Sequence, residues 1–117
     1  MTAFGTYLRK QRETKRSDDK AFSLRKVAER VGVQPSYLSK VERDEVAPPS
    51  EDTIRRIAAD LGEDPDVLLA LAGKVSSDLK ATIIKRPRLF SQLIRELADM
   101  PDGAVLRLVR EVRDGDW

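Results

Sequence analysis

Between residues 24 and 43 the chain reads LRKVAERVGVQPSYLSKVER, and the spacing inside that stretch leaves few ways to fold it. Ala28 is small, and Gly32 follows four residues later. Val27 and Val31 stand before the glycine, and Val33, Leu38 and Val41 after it, at separations that put them on the inward faces of two helices. Two helices that cross steeply through a tight turn need a small residue where they touch. They also need a turn residue that accepts a left-handed conformation, which glycine does without steric cost. All of the constrained positions are filled.

The flanking segments extend the helical reading. Residues 3–15 form a first helix, with Phe4, Leu8 and the stem of Gln11 on one face and Tyr7 beside them. KRSDDKA is polar and aperiodic and reads as a loop. Ser23 precedes LRKVAERV as an N-cap, and Leu24, Val27, Ala28 and Val31 share a face. Pro35 suits the first position of a third helix that runs to Glu42, because its missing N–H would be unsatisfied there in any case. After the turn RDEVAPP, Ser50 caps EDTIRRIAADLG, whose Ile54, Ile57, Ala58 and Leu61 form a stripe ending at Gly62. Asp64-Pro65 opens a fifth helix, PDVLLALAG, ending at Gly73.

Residues 74–117 carry three further helical patterns, SDLKATIIKR, PRLFSQLIRELADM and PDGAVLRLVREVRDG, with Pro87 and Pro101 each fitting a helix start. Leu89, Phe90, Leu93, Ile94 and Leu97 make one wide stripe, and Val105, Leu106, Leu108, Val109 and Val112 make another. Helices this short are marginal alone, so they must pack on the first half or on another chain. The expected fold class is all-α: a five-helix domain over 1–73, followed by a short helical C-terminal region over 74–117 for dimerisation or partner binding.

Composition excludes several functions. With no cysteine and no histidine, the 117-residue chain has no disulfide framework and no thiolate metal site, and lacks the commonest metal ligand and the usual general base near neutral pH. No glycine-rich phosphate loop is present either, so no enzyme, no metal and no cofactor is expected. The longest apolar run, VLLALAG, is far short of the roughly 20 residues of a membrane span. MTAFGTYLRKQR lacks the apolar core of a secretory signal, and a cytoplasmic location is expected. Residues 1–50 hold 11 Lys/Arg against 7 Asp/Glu, whereas residues 51–117 hold 11 against 13. A basic front half suits a polyanion, and the slightly acidic back half suits a different partner.

The stretch at 24–43 is a helix-turn-helix pattern. With Leu38 and Val41 turned inward, the outer face of the third helix consists of Pro35, Ser36, Ser39, Lys40 and Arg43, with Gln34 at the cap and Tyr37 at the flank. Such a face enters a DNA major groove, about 12 Å wide. Lys40 lies one turn after Ser36 and can donate to guanine O6 or N7, while the serine hydroxyl donates or accepts. Tyr37 either bonds a phosphate or covers the edge of the core. Arg43 and Arg25 are expected at the groove edges, where Arg43 meets phosphate. Arg9, Lys15, Arg16 and Lys20 either contact phosphates or remain solvated beside Asp18 and Asp19.

Over residues 4–73 the sequence resembles the Cro/phage-repressor-type helix-turn-helix domains, the xenobiotic-response-element (XRE) family. YLRKQRE, SLRKVAERVGVQPSYLSKVER, PPSEDTIRRIAADLG and PDVLLALAG carry the resemblance. It implies a five-helix DNA-binding domain that acts as a dimer, with Gln34, Pro35, Ser36 and Lys40 facing the groove and Arg12 paired to Glu42 to lock the first helix to the third. The sequence departs from the family in four places: a longer loop at TKRSDDKAF, Asp44 in place of a turn glycine, Gln34 in place of a Ser or Thr cap, and Leu24 in place of a polar residue.

Together these features predict a sequence-specific repressor of double-stranded DNA, autoregulatory and dimeric on an inverted repeat. Its DNA-binding residues would be Gln34, Pro35, Ser36, Tyr37, Ser39, Lys40, Arg43, Arg25 and Ser23. Leu89, Phe90, Leu93, Ile94, Leu97, Leu106 and Val109 would dimerise it. The alternatives are an antitoxin, or an interaction module whose C-terminal helices bind a partner protein such as a toxin or an inactivating protease.

Overall fold

The computed structural model describes residues 4–117; residue 3, where the sequence pattern starts the first helix, lies outside them. Among the described residues the chain is all-helical, with eight α-helices and one short 3-10 turn. It divides into two compact units, Met1–Ser76 and Ser77–Trp117, just beyond the boundary read at Gly73.

The first unit contains α1 (Phe4–Arg16), the 3-10 turn Lys20–Phe22, α2 (Leu24–Val31), α3 (Pro35–Glu42), α4 (Glu51–Leu61) and α5 (Pro65–Leu71). Helix α3 packs on α1 and α2, and α4 packs on α2 and α5. Phe4 and Leu8 of α1, Val27, Ala28 and Val31 of α2, and Leu38 and Val41 of α3 are buried in one core. The α4 stripe and Leu68 and Leu69 of α5 complete it. Each fully buried Leu, Ile or Val contributes roughly 1.5–3 kcal/mol relative to exposure. Three helix starts are capped by side chains: Ser23 accepts from the Lys26 amide, Ser50 from Thr53 and Asp64 from Asp66.

The segment KRSDDKA is more ordered than its polar composition predicts. Lys15 and Arg16 continue α1, and Asp19 caps the 3-10 turn by accepting from the Ala21 amide at 2.9 Å. The cause is Phe22, whose ring packs against the core with the Lys15 ammonium 5.6 Å and the Arg30 guanidinium 5.1 Å from its centroid. Arg12 also donates to the Phe22 carbonyl at 3.2 Å. One aromatic held by two cations anchors a loop that is otherwise hydrophilic.

The second unit consists of α6 (Ser77–Lys85), α7 (Pro87–Leu97) and α8 (Asp102–Asp114). Pro87 occupies the first turn of α7, while Pro101 stands one residue ahead of α8 as its N-cap. Helix α6 packs on α7, yet no residue of 77–117 is fully buried. Leu93 and Leu97 of α7, with Leu108, Val109 and Val112 of α8 and the side chain of Arg113, line an open groove of about 450 Å³. No described helix is long and apolar enough to cross a membrane.

Candidate nucleic-acid interface

The site is built around the turn between α2 and α3. Gly32 has φ 86°, the left-handed conformation that closes α2, and the Val33 amide reaches back to the Ala28 carbonyl at 3.0 Å. That closure turns the chain from α2 into α3, which packs on α2, and Ala28 is fully buried. Leu38 and Val41 are then buried, each 1% exposed, so the opposite face of α3 is the one left to solvent.

On that face Gln34, Ser36, Lys40 and Arg43 are exposed, and Pro35 and Ser39 are half-buried. Gln34 has extended backbone at the helix start and forms no side-chain cap, so its amide is not committed to the helix end. Tyr37 is half-buried and packs against the core. Ser23 uses its hydroxyl to cap α2, which leaves it at the helix N-terminus where backbone amides attract an anion. Arg25 is exposed and pairs with Glu29 at 3.6 Å, one turn along α2. Arg43 donates to the Glu45 carboxylate, so a phosphate contact by Arg43 has to displace a neighbouring acid.

The floor of the site is an ion pair. Arg12 donates to Glu42 through Nε at 2.7 Å and Nη2 at 2.9 Å, with both residues buried at 4% exposure. The hydrogen bond to Glu42 raises the Arg12 pKa above its ordinary value, against the opposing effect of burial. A bidentate pair of this kind fixes α1 against the C-terminal end of α3, and so fixes the angle at which α3 presents its outer face. Beside it, Arg9, Leu24, Ser39 and Arg43 join Arg12 and Glu42 around a notch of about 140 Å³. The sequence reading left Arg9 undecided between phosphate contact and solvent; its place in this notch puts it beside α3.

Two roles are absent from the sequence reading, which gave Asp44 only the place of a turn glycine. Asp44 has φ 57°, and its carboxylate accepts from the Gly5 amide at 2.8 Å and the Thr6 hydroxyl at 3.2 Å. It takes the left-handed place of a turn glycine and caps the start of α1 with its side chain, a role no glycine can fill. Gly5 makes the close approach that allows this. A Cβ there would stand 2.0 Å from the Val41 carbonyl oxygen. Neither the cap on α1 nor the close approach of Gly5 had a local signal, since each depends on residues nearly forty positions away.

The outer frame is also pinned by charge. Arg30 donates to Asp60 at 2.6 and 3.0 Å, a bond that raises the arginine's pKa and joins α2 to α4. Tyr7 donates its hydroxyl to Glu63 at 2.8 Å, which raises the phenol's pKa. In the second unit, Leu89, Leu93, Ile94, Leu106 and Val109 are exposed, and Phe90 and Leu97 are half-buried. Of these seven, Leu93, Leu97 and Val109 line the groove of that unit.

Comparison with known proteins agrees with this geometry. Residues 3–71 match a family described as a helix-turn-helix domain. Two proteins from two strains of Mycobacterium tuberculosis, each described as an uncharacterized HTH-type transcriptional regulator, are 42% identical over 69 residues. That alignment covers 59% of this chain and 45% of each relative, so the chain spans less than half the length of the curated relatives it matches. No solved structure matches the chain. The left-handed Gly32 that joins α2 to α3, and the match over most of the first unit, place this chain in the XRE-type helix-turn-helix family.

Proposed function

We propose that this chain is a DNA-binding transcriptional regulator that inserts α3 into the major groove and represses as a dimer on an inverted-repeat operator. One observation carries the reading: Ser36 and Lys40, one turn apart, are exposed on the outer face of α3 while Leu38 and Val41 on its inner face are buried. Lys40 then donates to a guanine edge and Ser36 contacts the neighbouring base pair. Gln34 and Ser23 lie at helix starts, and Arg9 and Arg43 flank the notch beside α3, positions suited to phosphate. Two copies would set their third helices about 34 Å apart on one face of the duplex.

A pure protein-interaction role drew on the acidic pair Asp44 and Glu45, but both carboxylates are engaged within the domain, with α1 and with Arg43. Fluorescence anisotropy on the DNA upstream of the protein's own coding region, with a scrambled duplex and a salt series, tests the proposal. Expected are sequence-dependent binding, a steep fall with salt, and a loss of about 1–3 kcal/mol for Lys40→Ala. Equal, weak binding to both duplexes, unchanged by Lys40→Ala, would remove the claim for this operator and favour the interaction role.

A further inference from the structure

We propose that Glu45 is an internal stand-in for DNA phosphate: in the free protein its carboxylate holds the guanidinium fork of Arg43, and any duplex has to displace it. The inference rests on the reading of α3 as the groove helix. It adds a residue that sets how tightly that helix is held by the DNA backbone.

The placement of Glu45 follows from the way α3 ends. Arg43 is the C-cap, and Asp44 takes the left-handed conformation at φ 57°. The Asp44 amide then returns to the Val41 carbonyl at 3.0 Å, and the Glu45 amide to the Lys40 carbonyl at 2.9 Å. This pair of bonds is a Schellman closure, with aspartate where glycine is usual. It folds residue 45 back against the last turn of α3 instead of letting the chain run on along the helix axis. Glu45 is thus held by its backbone, and its side chain meets Arg43.

The neighbouring acids have other partners. The Asp44 carboxylate accepts from the Gly5 amide and the Thr6 hydroxyl, and Glu42 is buried on Arg12. Glu45 takes Arg43 through Nε and Nη2, the second bond at 3.4 Å. A phosphate takes an arginine through the same kind of two-point contact, so carboxylate and phosphate compete for one fork.

Arg43 lies seven residues after Ser36 and three after Lys40, on the same outer face of α3. Among the described residues Lys40 pairs with no acid. The amine aimed at a base edge is therefore ready, while the guanidinium beside it is held. Phosphate contacts position a protein on the duplex without carrying sequence information. Holding one of them back lowers affinity for DNA of any sequence. Because the Arg43 and Glu45 side chains are both half exposed, the effect is a small multiple and not orders of magnitude.

The test is anisotropy binding of the full chain to a short random-sequence duplex across a salt series, with Glu45→Gln, Arg43→Gln and the double variant. Glu45→Gln leaves the backbone bond to Lys40 in place, so its thermal melt should match the parent's. It is expected to tighten binding about 3-fold at low salt and to steepen the salt dependence by up to about 0.9 in slope. With Arg43→Gln already present, the same change should gain little, because the fork it frees is gone.

No gain from Glu45→Gln overturns the proposal. So does an equal gain in both backgrounds, which would mean that Glu45 only repels the duplex at a distance. Because the probe has random sequence, a protein that shows this coupling but prefers no operator leaves the inference standing and removes only the claim of sequence-specific repression. A chain that binds no duplex even at low salt removes both.

Discussion

Helices α4 and α7 are each 11 residues long, and each carries a regular apolar stripe bounded by charged residues. In α4 the stripe of Ile54, Ile57, Ala58 and Leu61 is at most 1% exposed. In α7, Leu89, Leu93 and Ile94 remain 44–65% exposed. The patterning is equivalent and the outcome is opposite. Amphipathicity states that a face must be covered, and says nothing about where the cover comes from. In residues 4–76 it comes from α2 and α5, in the same chain. Within residues 77–117 the neighbouring helices leave it open.

The sharpest way to break this contrast is to remove the strongest internal lock of the first unit. Arg12→Ala strands the buried Glu42 carboxylate and should cost roughly 3–5 kcal/mol in urea unfolding followed by circular dichroism. If the two units are independent, the transition reported by Trp117 in the second unit should keep its midpoint. A single merged transition would show that the units fold as one, and the contrast would fall.

Gly5→Ala comes next. Its Cβ would overlap the Val41 carbonyl oxygen, so α1 must move away from α3 and Asp44 must release the Gly5 amide. The expected loss is about 1–3 kcal/mol, measured as a lower urea midpoint. DNA affinity should fall as well, because the pose of α3 depends on that contact. An unchanged midpoint would mean that the close approach of α1 contributes nothing to the stability of the first unit.

The smallest effect concerns pH. The Glu63 bond raises the Tyr7 pKa above 10.0 in the folded state, so the folded protein holds this proton more tightly than the unfolded chain does. Its contribution is therefore complete below pH 10 and is lost as pH rises through the raised value. Tyr7→Phe should flatten the loss of thermal stability above pH 10 relative to the parent and leave the profile near neutrality with the same shape. Identical slopes for both proteins above pH 10 would show that the Tyr7–Glu63 bond does not link α1 to the segment after α4 in solution.

Much of the first unit was legible because its determinants are local. Ser23, Ser50 and Asp64 cap the helices they precede, and Gly32 ends α2 at a position visible in the sequence. The outer face of α3 was legible for the same reason, since burying Leu38 and Val41 leaves Ser36 and Lys40 outside. KRSDDKA was misread because a window of charged residues conceals the one aromatic at its end. Phe22 orders the segment through Arg12, Lys15 and Arg30, none of which is its neighbour in sequence.

By itself, then, the sequence determined the helices, their inward faces and the face of α3 that remains outside, because these follow from spacing within a few turns. Only the tertiary structure decided that Asp44 caps α1, that Gly5 must lack a side chain, and that Arg9 lines a notch beside α3. It also decided that the helices of residues 77–117 do not cover the apolar stripes of α7 and α8 among themselves. Those outcomes depend on which distant surfaces meet, and on whether enough of them exist, which periodicity along a chain does not contain.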